Sequence, residues 1–293
     1  MSTNSIDDDS SEELAPPEIT AEQVLRIDDD RFTTDNVAVV TGAASGIGQA
    51  AAVALAANGL AVAGLDIDEA GLEETIEIAD SIGVDGRIVA ASCDLTDDAA
   101  AEGAIEAAAE EGSIRYLANI AGMQHISPID EFPLDRYDFM QELMLRAPFY
   151  LSQLVIPHIE ATDDGVGAIG NMSSVHGRFA TRDKSAYIIA KHGLAGLTRS
   201  IAAEGEGTVR GFSVSTGYVL TSLMVDQIRD TAERRGISET EVIEDVMLGQ
   251  ARTKEMMTPI EVANLFVFGF SSHAGHLNGG DLVFDGGYTT TYD

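Results

Sequence analysis

From Asn36 onward, short apolar runs alternate with longer amphipathic stretches. Val37–Thr41, Ala61–Asp66, Arg87–Cys93, Tyr116–Ile120, Ala168–Met172, Val209–Ser215 and Asp281–Phe284 read as strands. Between them Gly46–Ala57, Glu69–Ser81, Ala99–Glu110, Leu134–Glu160, Ala186–Ala203 and Pro259–Phe270 carry helical patterns. Apolar runs without polar alternation suit strands covered on both faces. Strands alternating with helices then predict right-handed crossovers and a doubly wound parallel sheet, an α/β fold in a single domain over 35–293. Pro148, inside the fourth helical pattern, predicts a kink or break there. Thr221–Thr258 reads as a helical excursion or lid.

Residues 1–34 differ. They are polar and acidic, with IDDD at 6–9 and 27–30 and a Pro16-Pro17 break, and predict a solvated tail. A short helix near Ala21–Ile27 is expected within it.

Charge narrows the function. Lys plus Arg is 17 against 49 Asp plus Glu among 293 residues, a formal charge of −32. Such a field repels phosphate backbones and anionic lipid, which argues against nucleic-acid and membrane-surface partners. Lys184, Lys191 and Lys254 are the whole lysine complement, and so acidic a surface suggests a halophilic protein screened by concentrated salt. Cys93 is the sole cysteine, so neither an intrachain disulfide nor a cysteine metal cluster is available. His273 and His276 sit in a glycine-containing stretch that reads as a loop, and no metal is expected there. With no long apolar run and an acidic start, a cytoplasmic protein is expected.

VAVVTGAASGIGQAAAVALA passes from a strand through a glycine turn into an alanine-rich helix, with Gly42, Gly46 and Gly48 spaced G-x-x-x-G-x-G. Glycines let backbone N–H groups approach a pyrophosphate at the positive end of that helix, so a dinucleotide is expected. Eighteen residues past Gly48 the second strand ends at Asp66, where a carboxylate accepts hydrogen bonds from both adenosine ribose hydroxyls. The same carboxylate repels a 2′-phosphate, and no Arg or Lys stands beside it, which favours NAD over NADP. Asp66 as a plain helix cap is the competing reading. Asp94 and Leu95 follow the third strand, and Asn119, Ala121 and Gly122 close the fourth; both places suit ligand contact.

Tyr187 and Lys191 lie four apart in SAYIIAKHG, on one face of a predicted helix. A neighbouring ammonium favours the phenolate and is expected to lower the tyrosine pKa. A phenol so poised takes the proton of a secondary alcohol as hydride leaves for a nicotinamide. Ser174, thirteen residues upstream, is placed to hydrogen-bond the same oxygen.

Together, T-G-x-x-x-G-x-G at Thr41–Gly48, Asp94, N-x-A-G at Asn119–Gly122, Ser174 and Y-x-x-x-K at Tyr187–Lys191 resemble the short-chain dehydrogenase/reductase family. The resemblance covers about 35–290 and implies a Rossmann-type sheet, a nicotinamide cofactor and a homotetramer. It extends the cofactor contacts to Ser45, Ile47, Val219 and Thr221. GMQHISPIDEFP, SSVHGRFATRDKSAYIIAKHG and TGYVLTSLMVDQI further resemble its D-3-hydroxybutyrate dehydrogenase branch. That implies substrate contacts from Gln124, His176, Lys184 and Gln227, with Tyr218 as a bulky pocket aromatic, and a small hydroxy acid held by cationic and amide donors. His125, beside Gln124, reads as packing.

Four positions depart from the family pattern. Met144 replaces a helix-kinking asparagine that supports a water relay to the lysine, Ile120 replaces the second asparagine of N-N-A-G, Thr216 a proline and Phe212 a strand asparagine. They leave two rivals to a hydroxy-acid dehydrogenase: an enzyme for another alcohol or sugar, or an NAD-holding sensor or scaffold without turnover.

Overall fold

The protein was analysed as a computed structural model, which describes residues 14–290; the first IDDD lies outside the described residues. Seven parallel strands form the sheet: β1 Asn36–Thr41, β2 Ala61–Asp66, β3 Arg87–Ser92, β4 Ser113–Asn119, β5 Gly167–Met172, β6 Val209–Thr216 and β7 Gly280–Phe284. Their order is β3-β2-β1-β4-β5-β6-β7. The helices are α1 Gly46–Ala57, α2 Glu69–Ile82, α3 Asp98–Glu110, α4 Leu134–Gln141, α5 Ala147–Glu160, α6 Ser185–Glu204, α7 Ser222–Arg235, α8 Glu239–Glu241 and α9 Pro259–Phe270. The doubly wound parallel sheet is as expected, with strand ends displaced by three residues at most.

Helices on both faces explain the unalternating strands. Ala38 and Val40 of β1 face the cluster holding α1 and α9, while Val37 and Val39 face α3 and α5. Ala50 to Ala57 of α1 are buried all round, because α1 is wedged between sheet and α9. Helix ends follow local chemistry. Asp68 caps α2 by accepting from Gly71 N–H (3.2 Å), and Gly83 ends it at φ 68°. Thr258 and Glu261 form a capping box around Pro259 at the start of α9.

Two expectations change and a third is met. Residues 24–32 are docked rather than solvated: Val24 and Phe32 are buried, Leu25 N–H donates to Asn264 of α9 (2.8 Å), and Arg31 pairs with Asp164 (2.8 Å). Ile19, Val24, Ile27 and Phe32 dock this otherwise acidic strap on the core. The helix expected near Ala21–Ile27 is only one 3-10 turn, Ala21–Gln23. The break expected from Pro148 is present: Leu134–Glu160 is interrupted by a π-helical turn, Glu142–Arg146. Pro148 has no N–H for the Met144 carbonyl four residues back, and the widened turn accommodates that missing bond.

Phe212, where a strand asparagine was expected, is a fully buried core residue of β6, 5.3 Å from the Phe270 ring. Two glycines make room for it. A Cβ on Gly269 would sit 2.4 Å from the Phe212 ring, and one on Gly170 2.7 Å away. Phe212→Asn should therefore destabilise the protein by about 3–5 kcal/mol, through lost packing and a buried amide beside those glycines. Urea unfolding measures it; a loss under about 1 kcal/mol would mean that Phe212 is not a core anchor.

Candidate active site

All seven strands run one way, so the loops after β1 to β6 emerge at one edge of the sheet. There they enclose a cavity of about 500 Å3.

The loop between β1 and α1 lines one side through Gly42, Ser45, Gly46, Ile47 and Gly48. Gly42 (φ 71°) and Gly46 (φ 55°) have left-handed backbone, and a Cβ on Gly48 would lie 1.9 Å from the Gly42 carbonyl. The turn needs glycine in order to close. Ser45 precedes α1 without a side-chain cap bond, so its hydroxyl is not consumed by the helix.

Asp66 ends β2 and lines the cavity. Its Oδ2 accepts from Ala44 N–H and its Oδ1 from Asp68 N–H, both at 3.1 Å. The cap of α2 is Asp68 instead. The two cationic side chains in the lining, Lys184 and Lys191, belong to the loop after β5 and to α6. From β2 to β5 is three strand spacings, roughly 14 Å. Asp94 and Leu95 line the wall after β3, where Asp94 Oδ1 accepts from the Thr96 N–H (2.9 Å) and hydroxyl (2.7 Å).

Thr41 and Asn119 do not face the cavity. Thr41 Oγ1 accepts from the N–H groups of Ile120 (2.9 Å) and Ala121 (3.0 Å), joining the β1 and β4 loops from behind. Buried Asn119 donates to Asn171 Oδ1 (2.9 Å), which in turn donates to Thr198 (2.9 Å) on α6. Both residues hold the wall in place, and Ala121 and Gly122 line it.

Ser174, Tyr187 and Lys191 meet at the other end of the cavity. Lys191 is buried, donates to the Met172 carbonyl (2.7 Å), and lies 5.3 Å from the Tyr187 ring centroid. Burial lowers its pKa to about 8, so the ammonium stays charged at neutral pH. The expected lowering of the Tyr187 pKa is not found. Burial raises it, with the Ser174 hydroxyl pulling the other way. The ammonium addresses the ring and the Met172 carbonyl, and desolvation of a phenolate dominates.

His176 packs edge-on against Tyr187, with centroids 5.8 Å apart. Its Nδ1 is 3.2 Å from Ser174 Oγ and its Nε2 2.9 Å from Thr181 Oγ1. Burial, and then the nearby Lys184 charge, depress its pKa to about 4, which keeps the imidazole neutral. Gln124, Lys184, Tyr218 and Gln227 line the same cavity, as do Val219 and Thr221. Gln124 Oε1 is buried without a hydrogen-bond partner. The Gln124 and Lys184 segments are joined by a Ser127–Lys184 bridge, with Ser127 N–H donating to the Asp183 carbonyl (2.9 Å).

Sequence reasoning missed Phe139 of α4 and Leu223 of α7, half-exposed residues that also line the cavity. Nothing local marks them, since each belongs to an ordinary amphipathic helix. Of the departures, Ile120 and Thr216 line the cavity; Met144 is wholly buried with Met140, Ala186 and Ala190. No helix among the described residues is long and apolar enough to cross a membrane.

Comparison with known proteins agrees with this geometry. A short-chain dehydrogenase/reductase family model, described as enoyl-(acyl carrier protein) reductase, matches residues 42–289. The chain is 35% identical over 257 residues to a D-beta-hydroxybutyrate dehydrogenase of Rhizobium meliloti (strain 1021), covering 86% of this chain and 98% of that one. Levodione reductase has a similar structure, with TM-score 0.81, 28% identity and coverage of 89% of this chain and 100% of that one. So does a putative 2-deoxy-d-gluconate 3-dehydrogenase from Agrobacterium tumefaciens with bound NADP, at TM-score 0.76, 26% identity and the same coverage. The glycine turn, the Tyr187–Lys191 pair on α6 and a family match across most of the chain lead to one conclusion: this protein belongs to the short-chain dehydrogenase/reductase family of nicotinamide-dependent oxidoreductases.

Proposed function

We propose that this chain is an NAD-dependent dehydrogenase that interconverts a small hydroxy acid and its ketone, with 3-hydroxybutyrate and acetoacetate the leading pair. The observation that carries the reading is the joining of two halves in one cavity. A glycine cradle with Asp66 lies at one end, and Tyr187 and Ser174 with Lys184, Gln124 and His176 at the other. The cradle fits a dinucleotide, because the left-handed glycines Gly42 and Gly46 turn the chain into α1 with the start of that helix lining the cavity. Gly46, Ile47 and Asp66 would hold its pyrophosphate and adenosine side, and Val219, Thr221 and Lys191 its nicotinamide side. When bound, the nicotinamide accepts or supplies the hydride.

The protein's own groups handle the proton and the charge. Tyr187, its pKa raised by burial, keeps its proton at neutral pH and donates it to the ketone oxygen; in the alcohol direction it takes the proton back. The Lys191 charge, 5.3 Å from the ring centroid, stabilises the phenolate formed in between. Ser174 steadies the substrate oxygen. The Lys184 ammonium and the side-chain amide N–H groups of Gln124 and Gln227 suit an anionic small molecule, and the unpartnered Gln124 Oε1 suits a donor such as its hydroxyl. Neutral His176, held between Ser174 and Thr181, leaves the local charge unchanged.

The preference for NAD rests on Asp66, with no cation near it in the cavity lining. A second reading, another alcohol or a sugar as substrate, draws on the likeness to a putative 2-deoxy-d-gluconate 3-dehydrogenase. Buried Met144 in place of a relay asparagine favours a third, cofactor binding without turnover. The homotetramer fits the exposed Phe149, Ile189 and Phe284 on α5, α6 and β7. A cytoplasmic, salt-adapted protein fits the charge of −32.

Three outcomes test this reading, with assays run in molar salt. Tyr187→Phe should lower turnover of acetoacetate by roughly 10^2–10^4-fold while NADH still binds; unchanged turnover removes the mechanism, and no turnover by the parent protein favours the third reading. NAD should bind at least ~100-fold more tightly than NADP, and Asp66→Ser should narrow the gap; an equal or reversed preference in the parent protein refutes the assignment of Asp66. Lys191→Met should abolish turnover yet raise stability at pH 7 by on the order of 1–3 kcal/mol, since the buried charge is gone. The Lys191 pKa is about 8 in the fold against 10.5 for the ordinary amine. Its penalty is therefore full below about 8 and relieved towards 10.5, so the gain should shrink by pH 10. Urea melts at both pH values measure this, and a destabilised variant at pH 7 would contradict it.

A further inference from the structure

Beside the substrate end lies a second cavity of about 490 Å3, and Gly217 and Tyr218 line both. Leu248, Met256, Met257 and Ile260 give the second cavity an apolar wall. Tyr288 lines the second cavity and is absent from the lining of the first. Tyr218 thus stands where the two spaces adjoin.

The Tyr218 side chain is braced. The Tyr288 ring meets Tyr218 edge-on (centroids 6.1 Å, 79°) and stacks on Phe179 (5.9 Å, 15°). Phe179 belongs to the loop that carries His176, so Tyr288 bridges the two loops flanking the substrate end. Its own position is fixed by the turn after β7. Asp285 accepts from the N–H groups of Gly287 and Thr289, both at 2.9 Å, and the Gly286 carbonyl accepts from Arg252 N–H (2.8 Å) and Thr253 N–H (3.0 Å).

We propose that Tyr218, braced by Tyr288 against Phe179, is a partition that limits the length of substrate the active site accepts. The proposal rests on the reading that substrate binds beside Tyr187. The cofactor shares the first cavity, so an acyl chain longer than that of a four-carbon acid meets the Tyr218 ring. Without the brace the ring can swing, and the chain gains access to the second cavity, whose methionines adapt readily to an apolar guest. Tyr288 is a positioning residue here, acting through Tyr218.

The test is calorimetric binding to the NADH-loaded full chain of two series: carboxylates from butanoate to octanoate, and alkan-2-ols from 2-butanol to 2-octanol. Tyr288→Ala should leave the four-carbon members within about twofold of the parent protein and bind the eight-carbon members on the order of 10-fold or more tightly. Tyr288→Phe, which keeps the stack, should retain the parent profile. Tyr218→Ala opens the same wall from the other side and serves if Tyr288→Ala does not fold. Because Tyr218 itself lines the substrate cavity, that variant is read only on the ratio of eight-carbon to four-carbon binding, which should rise on the order of 10-fold. A length profile unchanged in the alanine variants overturns the partition, including the case in which no ligand binds. Alkanols that lengthen as expected while carboxylates are ignored would uphold the partition and refute the hydroxy-acid reading.

Discussion

A lysine ammonium withdrawn from water needs an acceptor, and Lys191 finds one in the Met172 carbonyl at the end of β5. This contact ties α6 to the edge of the sheet and fixes the height of Tyr187 above it. The same burial sets the electrostatics of the whole end. It depresses the lysine, raises the phenol and holds His176 neutral. One desolvated pocket thus leaves a charged amine beside a protonated phenol at neutral pH, the pair that proton delivery to a ketone requires.

The departures from the family pattern are absorbed by their surroundings in different ways. Phe212 fills space that Gly170 and Gly269 leave open, so the strand loses a polar group and gains an aromatic core contact. At Met144 the irregularity of the helix persists without an asparagine, because Pro148 removes the N–H that would have closed the turn. The backbone keeps its widened shape there, while the side chain turns into an apolar cluster with Met140, Ala186 and Ala190. The widened turn therefore needs no asparagine side chain.

Parallel strands explain why so much of the site could be read from the chain. The glycine turn, Asp66, Asp94 and the Tyr187–Lys191 pair each sit at or just beyond a strand end, or on the helix facing one, and each carries local chemistry in a short motif. Thr41 and Asn119 share those motifs yet point behind the wall, since a strand sends successive side chains to opposite faces and a motif does not say which face is solvent. Phe139 and Leu223 line the cavity from helices whose patterns look ordinary, so no short-range signal marks them.

The sequence by itself determined the order of elements, the parallel topology and the chemical types gathered at the strand ends, because periodicity and glycine punctuation are local properties. Only the tertiary structure decided what those groups experience. The direction of the Tyr187 shift, the neutrality of His176, the docking of residues 24–32 and the wall that Tyr218 and Tyr288 make between two cavities all depend on which distant segments exclude water from one another. Desolvation is a sum over neighbours in space, and no stretch of chain contains that sum.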